Sequence, residues 1–78
     1  MTIDHEAGRP VYQQLAGIIR DMIESGEIAA GKLLPSQRTL MQRYEVSDGT
    51  VKRALALLRD EGLIATEQGR GTYVKQGD

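Results

Sequence analysis

The sequence predicts an α+β fold, in which a core of three helices is followed by a C-terminal β-hairpin of two strands. Three observations support this prediction. Apolar residues recur at helical spacing in three segments, glycine and proline separate those segments, and β-branched and aromatic residues follow Gly62. The 78 residues suffice for a single domain. We expect residues 1–9 to be a flexible N-terminal leader and residues 10–76 to form the domain.

The first helix is predicted over residues 10–25. Pro10 suits the first turn of a helix, where its missing N–H removes no hydrogen bond. Ser25-Gly26 ends the helix, because glycine readily adopts the left-handed conformation past a helix end. Residues 28–34 precede Pro35 and predict a connector or a very short extended segment whose apolar residues dock on the core. The apolar residues at helical spacing are Val11, Leu15, Ile18, Ile19, Met22 and Ile23.

Two further helices are predicted in quick succession. Ser36 is the predicted N-cap of the second helix, which ends near Tyr44. Ser47 is the predicted N-cap of the third, which ends near Glu61. Thr39 stands where a capping box would have Glu or Gln, so we expect a somewhat weaker cap at Ser36. Only a few residues separate the two helices.

The third helix has two different faces. An arc of about 100° is apolar, and the opposite face is small and basic. The apolar arc contains Val51, Ala54, Leu55 and Leu58, and the opposite face contains Gly49, Lys52, Arg53 and Ala56. A short turn before a helix of this kind is typical of a helix-turn-helix, whose second helix enters the DNA major groove.

The residues after Gly62 predict a β-hairpin. Its strands cover residues 63–66 and 72–75, on either side of the turn Gln68-Gly69-Arg70-Gly71. A lone hairpin is only marginally stable in water, so it must pack on the helices. We expect Leu63, Tyr73 and Val74 to make that contact. The hairpin turns the predicted fold into a winged helix-turn-helix.

The composition excludes several classes of function. The chain has no cysteine, which rules out disulfides and thiolate metal sites, and His5 is its one histidine. We therefore expect no enzymatic activity, no metal site and no cofactor. No apolar stretch approaches the roughly 18 residues of a membrane span, and the acidic start lacks the basic region of a signal peptide. These features predict a soluble cytoplasmic protein without a membrane partner.

The net charge of −1 conceals an uneven distribution. Residues 32–59 carry six basic and two acidic side chains. Residues 1–31 carry two basic and five acidic side chains, and residues 60–78 carry two basic and four acidic ones. The basic middle predicts one positive face that is attracted to a phosphate backbone.

Candidate DNA contacts lie on the third helix. Ser47 and Thr50 offer short hydroxyl groups to phosphates at the helix N-terminus. Lys52 and Arg53 are long enough to reach bases or the backbone. Gly49 lets the helix approach the groove closely. Each cation has a structural alternative, because Lys52 and Arg53 would also suit a solvated helix face.

The hairpin tip is a second candidate contact. Gly69 and Gly71 would let the backbone come near DNA, and Arg70 suits insertion into a narrow minor groove. The alternative is that Arg70 is a polar turn residue in an ordinary hairpin. We expect the tyrosines at positions 12, 44 and 73 to lie in the core or at its edge rather than to stack on bases.

Several motifs in order extend this interpretation. They are Tyr12-x-x-Leu15, Ser25-Gly26-x-Ile28, Pro35-Ser36-Gln37-Arg38, Tyr44-Glu45-Val46-Ser47, Thr50-Val51-Lys52-Arg53-Ala54, Glu61-Gly62-Leu63-Ile64 and Gly69-Arg70-Gly71-Thr72-Tyr73-Val74. Over residues 10–75 this pattern closely resembles the DNA-binding domain of the GntR family of bacterial transcription regulators. The resemblance implies a winged helix that binds palindromic operators as a dimer, with contacts from the start of helix two, from helix three and from the wing.

The resemblance also implies site residues by position. Arg38 resembles the family's phosphate- or base-contacting arginine, although an ion pair with Glu45 is an alternative. Ser36 and Ser47 are primarily caps, a role that is compatible with phosphate contact. The matching positions on the recognition helix are Ser47, Gly49, Thr50 and Lys52, and those at the wing tip are Gly69, Arg70 and Gly71.

The sequence departs from the family pattern at three positions. Position 48 is commonly arginine, and Asp48 puts there an anion that repels phosphates. A carboxylate also accepts from the cytosine amine, so a changed specificity and a weakened affinity are both open. Gln37 and Thr39 stand where glutamate is usual. Family members normally add a C-terminal effector-binding and dimerising domain, so the 78 residues fit either an excised domain or a short stand-alone regulator.

We therefore expect sequence-specific binding to duplex DNA by a bacterial transcription regulator, a repressor associated with the nucleoid. A homodimer on DNA is expected if the operator is palindromic, and no effector is expected within these residues. The alternative function is a winged-helix protein-interaction module with weak or no DNA binding. That alternative predicts an exposed apolar patch around Leu57.

Overall fold

The computed structural model describes residues 3–5 and 8–75. Three helices come first and an antiparallel hairpin follows, which confirms the predicted α+β winged helix-turn-helix. The helices are α1 (Val11–Glu24), α2 (Gln37–Tyr44) and α3 (Asp48–Asp60), and the strands are β1 (Ile64–Glu67) and β2 (Gly71–Val74). None of the helices in these residues is long and apolar enough to span a membrane.

Helix α1 is one residue shorter at each end than predicted. Pro10 has an extended ψ of 143° and is the N-cap rather than the first helical residue. Its carbonyl accepts from the backbone N–H groups of Gln13 and Gln14 at 3.1 and 3.3 Å. At the other end Ser25 is the C-cap, and Gly26 follows with φ of +84°. The predicted stop at glycine is confirmed. Glycine suits this position because the left-handed conformation would strain a residue with a Cβ.

The predicted N-caps of α2 and α3 are both confirmed. The Ser36 hydroxyl accepts from the backbone N–H of Thr39 at 3.1 Å, and the Ser47 hydroxyl accepts from that of Thr50 at 3.2 Å. Between the two helices the chain turns at Glu45, which has a left-handed φ of 55°. The Val46 N–H then donates to the Met41 carbonyl at 3.1 Å and closes the turn.

The core lies where the three helices meet the inner face of the hairpin. The apolar arc predicted for α3 is buried, and it packs against the apolar sides of α1 and α2. The buried residues are Ile3, Leu15, Ala16, Ile18, Ile19, Leu34, Leu40, Val51, Ala54, Leu55, Leu58, Ile64 and Val74. Removal of these side chains from water is the main contribution to the stability of the fold.

Ile3 joins this core from the predicted leader. Its side chain is 7% exposed. The Gln14 side chain makes two hydrogen bonds to the backbone of Asp4, the residue after Ile3. Its Oε1 accepts from the Asp4 N–H and its Nε2 donates to the Asp4 carbonyl, each at 2.8 Å. The lack of periodicity in this segment gave no sign of the contact. Residues 1, 2, 6 and 7 of the predicted leader and residue 76 of the predicted domain lie outside the described residues.

The predicted packing of the hairpin on the helices is confirmed for Val74 and Leu63 but not for Tyr73, and Ile64 takes part in addition. Ile64 and Val74 face each other across the strands and are 1% and 3% exposed. Leu63 is half-buried against the core. The expectation for Tyr73 was wrong, because successive residues of a strand point to opposite faces and Tyr73 lies on the face opposite Val74.

The connector between α1 and α2 pairs with the outer edge of β2. Gly31 and Leu34 donate backbone hydrogen bonds to the carbonyls of Val74 and Thr72, at 2.8 and 2.9 Å, and Val74 donates to the Lys32 carbonyl at 2.9 Å. A single bridge joins Leu33 to Tyr73. The prediction of a short extended segment is therefore confirmed. The expected docking of its apolar residues is confirmed for Leu34 but wrong for Leu33, whose side chain is 53% exposed.

Candidate nucleic-acid interface

The outward face of α3 is the centre of the candidate interface. Gly49, Lys52, Arg53 and Ala56 are all exposed, as predicted. A Cβ placed on Gly49 would meet only the Ser47 hydroxyl, at 4.0 Å, so the surface there is open. Gly49 and Ala56 are small, so Lys52 and Arg53 are the only side chains of these four that extend far from the helix backbone.

Lys52 forms an exposed ion pair with a carboxylate on the same helix. Its Nζ lies 2.9 Å from Oδ2 of Asp48, one helical turn earlier, with exposed side-chain fractions of 62% and 48%. Such an i, i+4 ion pair at the surface contributes a few tenths of a kcal/mol, about 0.3–0.5. The sequence departure at Asp48 therefore places a carboxylate directly beside the cation that was expected to contact DNA.

Arg53 lies against the start of α1. Its guanidinium carbon is 4.4 Å from the centre of the Tyr12 ring, a cation–π contact. The Tyr12 hydroxyl accepts from the Gln13 side-chain amide at 3.3 Å. Tyr12 is half-buried at the core edge, as predicted. No local pattern in the sequence relates positions 12 and 53, so the contact of Tyr12 with Arg53 could not be predicted.

The N-caps of α2 and α3 use their serine hydroxyls in the same way. Ser36 Oγ donates to Thr39 Oγ1 at 2.9 Å, and Ser47 Oγ donates to Thr50 Oγ1 at 3.0 Å. Each serine proton is therefore used within the cap, whereas each threonine hydroxyl keeps a proton to donate. Thr39 was missed as a candidate phosphate contact. The signal was the repeated Ser-x-x-Thr spacing at positions 36–39 and 47–50.

Arg38 is exposed on the first turn of α2. The alternative ion pair with Glu45 is not formed, and Arg38 has no ion-pair partner among the residues that the structure describes. Arg59 has a structural role, because it donates to the Thr66 hydroxyl at 3.0 Å, and Thr66 is hydrogen-bonded to Thr72 across the strands. This contact fixes the wing to the end of α3.

Arg70 is folded back onto the wing and does not project from its tip. Its guanidinium donates to the Gly31 carbonyl at 2.9 Å, lies 3.5 Å from the Glu67 carboxylate and stacks over the Tyr73 ring at 4.4 Å. Tyr73 is thus a platform for an arginine rather than part of the core. The neighbouring Gly69 and Gly71 are exposed and have φ of +84° and +107°.

The wing tip and the start of α2 border one open cleft. Its lining includes Ser36, Gln37, Arg70 and Gly71, together with the exposed Leu33. The fold therefore brings together two groups of predicted contact residues that lie more than thirty positions apart in the sequence. Within residues 3–5 and 8–75, no three His, Cys, Asp or Glu side chains group together in a way that could hold a metal ion.

Leu57 does not form the apolar patch predicted for a protein-interaction module. It is half-buried against the core. Leu33 is the one large apolar side chain that is exposed in the described part of the chain. A single exposed apolar side chain is ordinary for a protein surface.

Comparison with known proteins identifies relatives over most of the chain. Residues 11–74 match the family model described as bacterial regulatory proteins, gntR family. The mannosyl-D-glycerate transport/metabolism system repressor MngR of Escherichia coli is 40% identical over 68 residues, which are 87% of this chain and 28% of MngR. The repressor NagR of Bacillus subtilis is 34% identical over 97% of this chain and 31% of its own length. The chain therefore spans less than a third of each of these relatives.

Solved structures share the same architecture. YtrA from Sulfolobus acidocaldarius, a GntR-family transcription factor, superimposes with a TM-score of 0.89 at 38% identity, covering 99% of this chain and 81% of YtrA. The AraR(DBD), crystallised in complex with operator ORX1, superimposes with a TM-score of 0.82 at 35% identity. That match covers 85% of this chain and 80% of the AraR chain.

Proposed function

The chain belongs to the gntR family of bacterial regulatory proteins, and from this membership we propose that it binds a specific duplex operator and regulates transcription as a repressor. The observation that carries the proposal is the likeness to the AraR(DBD), which was crystallised with operator DNA. The domain acts by binding rather than by catalysis. Its place of action would be the bacterial nucleoid, in the cytoplasm.

In the proposed complex α3 lies in the major groove. Its outward face is exposed and open at Gly49, so the helix backbone can approach the base edges. Arg53 and the paired Lys52 are the long side chains on this face. The N-terminal caps of α2 and α3 would face phosphates, because backbone N–H groups and the free threonine protons both donate there.

The wing would lie at the adjacent minor groove. Gly69 and Gly71 offer exposed backbone without side chains, which suits close approach to the sugar-phosphate edge. Arg70 enters the minor groove only if it leaves Gly31, Glu67 and Tyr73. A wing contact through the tip backbone needs no such rearrangement.

A homodimer on a palindromic operator completes the proposal. Two copies of the domain related by a two-fold axis would recognise a site with the same symmetry. The centres of its two half-sites would lie about one turn of the duplex apart, or a multiple of one turn. The proposal does not extend to the effectors or the target genes of the longer relatives, because the chain spans less than a third of their length.

The direct test is selection of bound sequences from a randomised duplex pool, followed by titration of the selected site and of scrambled DNA at several salt concentrations. We expect a palindromic motif that binds at least about 10³-fold more tightly than scrambled DNA. Binding without a motif that disappears near physiological salt would contradict the proposal, because it would show non-specific phosphate attraction alone.

The variant Arg38→Ala tests the start of α2. A base contact would cost about 1–3 kcal/mol at one position of the site, whereas a phosphate contact would weaken all sequences equally and lower the salt slope by about one. Arg43→Ala is the matched control, because Arg43 is an exposed arginine in the last turn of the same helix. If Arg38→Ala and Arg43→Ala lowered the DNA affinity equally, Arg38 would make no specific contact with DNA.

A further inference from the structure

Asp48 and Lys52 form a charge pair at the start of the recognition helix. The two residues are one turn apart and therefore share one side of α3. The carboxylate oxygen and the ammonium nitrogen are 2.9 Å apart, and about half or more of each side chain is exposed. Neither side chain contributes to the core.

The pair is poorly suited to a phosphate contact. The Asp48 carboxylate repels phosphates, and the Lys52 charge is already balanced by its neighbour. Binding of Lys52 to a phosphate would release few counterions from the DNA and so add little affinity, because the Asp48–Lys52 pair has no net charge. Its chemistry fits a target that offers a donor and an acceptor side by side.

Base edges in the major groove offer such a target. A C·G pair presents the cytosine N4 amine, which donates, next to the guanine O6 and N7, which accept. An A·T pair also has an amine, but the adenine N6 lies between two acceptors, the adenine N7 and the thymine O4. A carboxylate on adenine would thus be repelled from both sides, whereas on cytosine it has an acceptor on one side only.

We propose that the Asp48–Lys52 pair reads one C·G base pair in each half-site, with Asp48 accepting from the cytosine amine and Lys52 donating to guanine. The inference rests on the proposed function, because it requires α3 in the major groove. The ion pair favours the arrangement in which the two groups lie side by side on one face of α3, 2.9 Å apart, as the base pair requires. The surface at Gly49, the residue after Asp48, is open, since a Cβ there would meet only the Ser47 hydroxyl at 4.0 Å.

The test compares selected motifs of the wild-type chain and of Asp48→Asn. We expect a C·G pair in the wild-type half-site, with a penalty of about 5- to 150-fold for other pairs at that position. Asn has nearly the same shape as Asp, but its amide pairs with adenine N6 and N7. Asp48→Asn should therefore change this position away from C·G, towards A·T, and leave the other positions as they were.

Asp60→Asn is the matched control, because it removes the same charge from an exposed residue at the opposite end of α3. It should leave the motif unchanged. Lys52→Ala should weaken discrimination at the same base pair, and it should also weaken binding to all sequences, because it leaves the Asp48 carboxylate unpaired beside the phosphates. Thermal unfolding followed by circular dichroism establishes that each variant is folded at the assay temperature.

Three results would overturn the inference. If the wild type selects a motif that Asp48→Asn leaves unchanged at every position, the pair does not read a base, although the proposed function stands. If Asp48→Asn and Asp60→Asn strengthen binding to all sequences equally, the Asp48 charge acts through general repulsion alone. If the wild type selects no motif, the proposed function fails and the inference fails with it.

Discussion

The Arg20 side chain binds the Glu61 carboxylate through two hydrogen bonds, from Nε to Oε1 at 2.9 Å and from Nη2 to Oε2 at 2.6 Å. This bidentate pair joins the middle of α1 to the C-cap of α3, across 41 positions of sequence. It fixes the C-terminal end of α3 relative to α1. The hydrogen bonds from Arg20 hold the pKa of Glu61 below its ordinary value and raise the pKa of Arg20.

Stability should depend on pH through Glu61. Because its pKa is lower in the folded chain than in the unfolded chain, the pair contributes fully above the unfolded-state pKa, about 4.3 for glutamate. That contribution is lost as the pH falls through the lower folded-state pKa. Glu61→Gln should therefore be less stable than the wild type near pH 7, and the difference should shrink below about pH 4.

Urea unfolding at a series of pH values measures this difference. Glu27→Gln is the control, since Glu27 is an exposed glutamate outside any of the ion pairs described above. A difference between wild type and Glu61→Gln that stays constant from pH 7 to pH 3 would show that the carboxylate charge does not contribute through Arg20.

Arg70 should stabilise the wing. Arg70→Ala removes an exposed cation–π contact of about 0.5–1 kcal/mol and a hydrogen bond to Gly31 of about 0.5–1.5 kcal/mol, so we expect a loss of about 1–2 kcal/mol. Arg70→Lys should recover little of it, because an ammonium lacks the planar fork that stacks and donates together. Urea unfolding gives the values, with Arg38→Ala as an exposed arginine without an ion pair. An unchanged free energy of unfolding in Arg70→Ala would show that the contacts of Arg70 with Gly31 and Tyr73 do not stabilise the wing.

Ser47 should matter more for the fold than its exposure suggests. Ser47→Ala removes the acceptor for the Thr50 N–H at the start of α3 and should cost about 0.5–2 kcal/mol. Ser25→Ala is the control, because Ser25 is a C-cap and its hydroxyl makes longer hydrogen bonds, 3.3 Å to Met22 and 3.4 Å from Glu27. Thermal unfolding compares the two variants, and equal losses would argue against a specific capping role.

Arg53 and Tyr12 should be energetically coupled. A double-mutant cycle with Arg53→Ala and Tyr12→Leu should give a coupling of about 0.5–1 kcal/mol, the value of an exposed cation–π contact. The parallel cycle of Lys52→Ala with Tyr12→Leu should give a coupling near zero, because Lys52 pairs with Asp48 instead. If both cycles gave the same coupling, the effect would come from a general change at α1 rather than from the stacked pair.

Local chemistry made most of the fold predictable. The helix starts at Ser36 and Ser47 depend on hydrogen bonds three residues ahead, so the cap residues can be recognised in the sequence alone. The end of α1 at Gly26 depends on one backbone conformation, and the buried face of α3 depends on helical periodicity. Each of these features is decided within one or two turns of chain.

The environment of the candidate site was less predictable. Asp48 and Lys52 are four positions apart, so their pairing follows from helix geometry. The contacts of Arg53 with Tyr12 and of Arg70 with Gly31 join residues about forty positions apart, and no local pattern indicates them. For the same reason the sequence left two roles open for Arg70, a minor-groove contact and a polar turn residue, and gave no sign that the side chain folds back onto Gly31 and Tyr73.

The helices and strands, their order, the caps and the exposed face of α3 could be predicted from the amino-acid sequence, because they follow from interactions between neighbours in the chain. Three features could be read only from the folded chain: which cations have ion-pair partners, which aromatic rings contact them and how the connector pairs with β2. These contacts depend on how helices and strands pack, and packing brings together residues that are distant in sequence. The exposed Arg38 and the paired Lys52 are indistinguishable as basic residues in the sequence, and their different partners separate them only in the folded chain.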